Sequence, residues 1–177
     1  ARMTMLRNDH DYWFLYEGTP GGTLETAQDT WTRADGQSKT LANQWTQDLV
    51  GPEWIYFSDP DVEGSSTAAR SLFLVQHQEN SAIDTYYPFG GLMTVFGFGR
   101  NGTNRYLTTV PQQFTFGLME TTEFSAASTI INNAYRDLGI SVLPAEVVTD
   151  LGNPALTMQN PLTIRLTSNR TITANFE

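Results

Sequence analysis

Apolar and polar residues alternate in short runs along most of the chain, and the runs are closed by Gly, Pro, Asn or Asp. Such alternation puts successive side chains on opposite faces of a strand. It predicts strands near Arg2 to Leu6, Tyr12 to Glu17, Glu53 to Ser58, Ser71 to His77, Leu92 to Phe98 and Gln113 to Met119. Trp13, Phe14 and Tyr16 fall on the second run and Trp54, Tyr56 and Phe57 on the third, a density of rings expected to pack a core between sheets. Gly18-Thr19-Pro20-Gly21-Gly22, Gly90-Gly91 and Arg100-Asn101-Gly102-Thr103 supply hairpin-type connections. Gly97 and Gly99 alternate with Phe96 and Phe98, so one face of that strand is bare. The strand either bends there or admits a neighbouring backbone or a ligand.

A helical period replaces the alternation from Thr122 or Glu123 to Leu138, where Ala127, Ile130, Ile131, Ala134, Tyr135 and Leu138 form one apolar stripe. Thr122 or Ser125 can cap the first-turn amides, and Gly139 stands where a left-handed C-cap is expected. The stripe is expected to cover the open end or an edge of a sheet. Past Leu143 aromatic residues vanish until Phe176, and Pro144, Pro154 and Pro161 punctuate a stretch rich in Thr and Asn. The organisation expected is mainly β: an antiparallel β-sandwich over 1–142 with a helix near 123–138, then a small β module or partial repeat over 143–177.

In that last part, alternating runs from Asn160-Pro161-Leu162 to Leu166 and from Arg170 to Phe176 meet at Ser168-Asn169 and predict a hairpin. This segment resembles the closing hairpin of the internalin-type B-repeat, a small β module found in tandem in bacterial secreted and surface proteins. A full repeat has a Gly-Trp stretch before the hairpin, and Val142 to Gln159 holds no Trp. More distantly, Asp11 to Gly22 and Met93 to Arg100 resemble the concanavalin-like sandwich domains of polysaccharide-degrading enzymes. Together the likenesses imply a jelly-roll-like sandwich in an extracellular, multidomain bacterial protein. Ala1 to Leu6 has no apolar leader region, which fits a piece of such a protein.

Charge narrows the partners. Ten basic against nineteen acidic residues give a formal charge of -9, and the arginines are scattered singly with Lys39 the lone lysine. That balance disfavours nucleic acid and polyanions, whose recognition rests on clustered positive charge. No apolar stretch approaches the ~20 residues of a membrane-spanning helix. Without cysteine there is no disulfide, thiolate metal site or cysteine nucleophile. Neutral polysaccharide remains as the expected partner, beside neighbouring domains or copies of the same chain.

Aromatic rings are the natural platforms for sugars, whose C–H faces lie on them while polar groups hold the hydroxyls. Trp31 and Trp45 stand in polar, loop-like surroundings and are the first candidates. Gln76, His77 and Glu79, followed by Tyr86 and Tyr87, form a second cluster able to ring a hydroxyl-rich ligand. In a sandwich lyase His77 would serve as base and a tyrosine as acid, but the lysine that accompanies such a set is missing. Asp59, Asp61 and Glu63 present carboxylates at alternate positions, suited to a structural calcium; the site fails as an EF-hand because Arg70 occupies its twelfth position. The Gly-x-Ser-x-Gly nucleophile elbow is absent. These residues point first to a noncatalytic glycan-binding module, with two alternatives: a structural, adhesive or filament subunit assembling by strand addition, and a sandwich polysaccharide lyase or glycoside hydrolase.

Overall fold

The computed structural model describes residues 1–8, 12–49, 51–62, 69–100 and 111–136, all within the first of the two units into which the chain divides, Ala1–Arg136. Glu63, the Asn101-Gly102 turn, Leu138, Gly139 and the hairpin from Asn160 to Phe176 lie outside the described residues. Ten strands and a helix follow in order: β1 (Arg2–Met5), β2 (Phe14–Tyr16), β3 (Thr30–Arg33), β4 (Ser38–Thr40), β5 (Trp45–Gln47), β6 (Trp54–Asp59), β7 (Arg70–Gln76), β8 (Asp84–Phe89), β9 (Met93–Gly97), β10 (Gln112–Met119) and α1 (Phe124–Tyr135). They form two antiparallel sheets, a larger one ordered β1-β10-β7-β6-β3-β4 and a smaller one ordered β2-β9-β8-β5. This is the mainly β sandwich that the alternation predicts.

All six expected strands form, and four more appear. Three of the additions, β3, β4 and β5, are only three or four residues long and rich in Thr, Lys and Gln, too short and polar to show an alternation. The fourth, β8, contains Pro88, whose missing N–H is harmless because Pro88 pairs with β9 and lies past the three residues of β8 that pair with β5.

Alternation divides the buried residues between two cores. Inside the sandwich, Trp31, Ile55, Phe57, Leu74, Tyr86, Phe96, Phe98 and Phe114 pack together. On the outer face of the larger sheet, Trp54, Tyr56, Phe73, Val75 and Met119 pack with Ala127 and Ile131 of α1. Strand β6 therefore has apolar side chains on both faces, and all six of its residues are buried. The helix thus lies on a sheet face rather than at an end or edge. Of its expected stripe, Ala127 and Ile131 are buried and Ala134 and Tyr135 pack beside them, whereas Ile130 is 43% exposed. It begins two residues later than the earliest expected start, and Glu123 is the N-cap without a side-chain hydrogen bond, in place of Thr122 or Ser125.

The bare glycine face is taken by a side chain of the same chain. Gly97 lies opposite Thr85 on the outer face of the smaller sheet, and a Cβ there would collide with the aliphatic stem of Arg100. The guanidinium continues to the Trp13 ring, with Cζ 4.2 Å from the centroid, a cation–π arrangement. Gly97→Ala is accordingly expected to displace Arg100 and cost about 1–3 kcal/mol, read as a lower urea midpoint together with a shift in tryptophan emission. An unchanged midpoint and spectrum would show that Arg100 has room to move.

Candidate functional site

On the smaller sheet the inward positions Tyr16, Tyr86 and Phe96 enter the core, so the alternate positions must face away from it. Antiparallel register brings the outward residues into rows: Leu15, Val95 and Tyr87 across three strands, Met93 beside Phe89, and Gly97 beside Thr85. Gly90 and Gly91 both hold positive φ, 62° and 72°, in the tight connection between β8 and β9, which sets this register. The result is a shallow groove of about 380 Å³ lined by Trp13, Thr85, Tyr87, Phe89, Met93 and Val95.

Three rings stand along this groove. Tyr87 is 45% and Phe89 60% exposed, and Trp13 is steadied by the Arg100 guanidinium. Thr85 supplies the polar atom of the floor: the residue is buried, and its Oγ1 has no hydrogen-bond partner among the described residues. A buried hydroxyl left unpaired costs about 1–3 kcal/mol, and this one is closed to a group the size of water. Leu15 and Leu92 extend the apolar surface beyond the groove and are 56% and 81% exposed.

Of the residues the sequence singles out, Tyr87 alone lines this groove. Trp31 lies on β3, not in a loop; it is 1% exposed, and its indole N–H donates to Asn43 O at 2.7 Å. It is a core side chain, and no sugar can lie on it. Trp45 is half-buried on β5, its ring against Trp31 and Phe96 and beneath the Arg33 guanidinium, 5.1 Å from the centroid. Tyr86 is fully buried with its hydroxyl donating to Leu41 O at 2.6 Å. Trp31, Trp45 and Tyr86 all take inward positions, on strands β3, β5 and β8.

The second cluster is spent on holding the fold. Gln76 is buried, and its amide donates to Gln78 O at 2.8 Å. His77 stacks on Tyr135, with Nδ1 3.1 Å from Tyr135 O and Nε2 2.7 Å from Thr115 Oγ1. Glu79 is exposed and hydrogen-bonded to the Tyr135 hydroxyl. Among the carboxylates considered for calcium, buried Asp59 accepts from Thr19 Oγ1 at 2.9 Å and from the Asp61 amide at 3.2 Å, while Asp61 is exposed. Among the described residues no group of three or more His, Asp or Glu is placed to hold a metal ion.

Two further carboxyl groups are set apart by the fold. Burial, then the charges of Asp84, Asp48 and Glu79, push Glu53 up to about 8 although the Asn80 amide donates to its Oε1 at 2.7 Å. Burial likewise lifts Asp84 to about 6, against the Leu49 and Gly99 amides that donate to its two oxygens at 2.8 and 2.7 Å. These bonds tie the chain before β6 to the end of β9 and lie apart from the groove. Trp13, Thr85, Phe89, Met93 and Val95 were missed as site residues. Their signal was present in two neighbouring runs, Thr85 to Phe89 and Met93 to Phe96, that are apolar at both alternating sets of positions.

No family model, curated protein or solved structure matches the chain. Among the described residues no helix is long and apolar enough to cross a membrane.

Proposed function

We propose that this chain is a glycan-recognition module of an extracellular, multidomain bacterial protein, and that it takes the rings of a neutral polysaccharide in the groove on the smaller sheet. One observation carries the reading: Trp13, Tyr87 and Phe89 line a surface groove around the otherwise unpartnered hydroxyl of Thr85. Ring faces supply apolar contact to sugar C–H bonds. The extracellular setting draws on the likeness of the Asn160 to Phe176 hairpin to surface-protein repeats. Tyr87→Ala removes a half-exposed ring and is expected to weaken binding by about 2 kcal/mol, roughly 30-fold, with folding intact. Affinity-gel electrophoresis against neutral polysaccharides, with the parent beside Tyr87→Ala and Phe89→Ala, measures this. Absence of retardation on every polysaccharide would end the proposal.

A second reading, assembly with a copy or a neighbouring domain, is favoured by the apolar surface at Phe89, Leu92 and Leu15, since an exposed apolar patch commonly marks a protein contact. Light scattering separates the two, because a monomer at every concentration contradicts assembly. The lyase reading draws no support from His77, whose two nitrogens already face Tyr135 O and Thr115 Oγ1.

A further inference from the structure

The larger sheet carries a second groove, of about 360 Å³, where its outer face extends beyond the core beneath α1. Alternation again selects the lining: Thr30 and Thr32 on β3, Ser38 on β4, and Tyr56 and Ser58 on β6 all point outward, because Trp31, Ile55 and Phe57 between them enter the sandwich. Thr122, Phe124, Gly36 and Pro60 complete the wall. The lining is a sheet of hydroxyls beside two aromatic rings, Tyr56 and Phe124, with no charged side chain.

The hydroxyls are pre-set. Ser71 Oγ donates to Thr121 O at 2.7 Å, so at 2.8 Å from Ser58 Oγ it must accept, and Ser58 is the donor. Tyr56 sends its proton to Thr122 O at 3.2 Å, and Thr32 Oγ1 donates to Ser38 Oγ at 2.9 Å. Ser58, 2% exposed, is spent on this inward bond, and exposed Ser38 keeps a proton for an incoming acceptor. Phe124, 41% exposed, is fixed between the Gly36 turn and the Trp54 ring, 6.1 Å away between centroids. Gly36 has φ 81° and no side chain, which lets the ring settle against the turn.

We propose that this groove is a second saccharide site, selective for a neutral, polyhydroxylated ring laid against Phe124 with a hydroxyl on Ser38. An anion finds no cation in the lining, a metal ion finds no carboxylate, and an apolar protein surface would bury hydroxyls without partners. The site does not depend on the Tyr87 groove. With one groove on the outer face of each sheet, the module binds two chains or two stretches of one chain, and avidity follows.

Isothermal titration of the chain with cellohexaose, xylohexaose, mannohexaose and laminarihexaose tests this by stoichiometry. The expected result is two sites on the parent, one remaining in Phe124→Ala and in Tyr87→Ala, and none in the double variant. Ser38→Leu, an exposed strand position that would fill the groove, should match Phe124→Ala and guards against an indirect effect on α1. A single site abolished by Tyr87→Ala and indifferent to Phe124→Ala and Ser38→Leu overturns the second site and leaves the first. A single site with the reverse pattern overturns the first and leaves this one. No heat with any of the four sugars overturns both.

Discussion

Trp31→Ala is expected to lower unfolding stability by about 3–5 kcal/mol while leaving the affinity of the molecules that remain folded unchanged. The indole is 1% exposed, touches Trp45 and Tyr86 at centroid distances of 5.8 and 6.3 Å, and donates its N–H to Asn43 O. Truncation removes a large buried surface, leaves a cavity between the sheets and strands the Asn43 carbonyl. Urea denaturation gives the stability, and gel retardation at low temperature gives the affinity. A variant as stable as the parent that loses all retardation would return Trp31 to the ligand and refute its place in the core.

The second large effect concerns pH. An unfolded glutamate titrates near 4.3, whereas Glu53 in the folded chain is held up to about 8. Between those values the native state keeps a proton that the unfolded state has released, so stability must fall as pH rises through the window. The slope for one such group approaches about 1.4 kcal/mol per pH unit. Asp84 and Asp29, each raised to about 6, steepen the lower half of the same window. Glu53→Gln keeps an oxygen for the Asn80 amide and adds no ionisable group, so its denaturation midpoint should change little between pH 6.5 and 8.5, where the parent declines. If both proteins lose the same stability over that interval, Glu53 is not the proton holder.

Trp31 looked like a loop residue because its neighbours are Asp, Thr and Arg. In the fold Arg33 is itself buried, donating to Gln47 at 2.9 Å and paired with Asp35 at 2.5 Å, which lets a polar stretch run through a core. Trp13 erred the other way. It sits in a ring-rich run whose members Phe14 and Tyr16 do enter the core, and one-residue parity places it outside. Glu53 is adjacent to a strand that was expected, yet nothing local marks a carboxyl whose environment is made by Asp48, Glu79 and Asp84 from other segments.

What the sequence determined by itself is the class of fold, six of its ten described strands and its helix, because period and turn chemistry are local properties of the chain. Tertiary structure alone decided which face of each strand is buried. Alternation fixes that Tyr86 and Tyr87 face opposite ways but is symmetric between them, and only the packing of one sheet on the other breaks the symmetry, sealing Tyr86 and leaving Tyr87 to solvent.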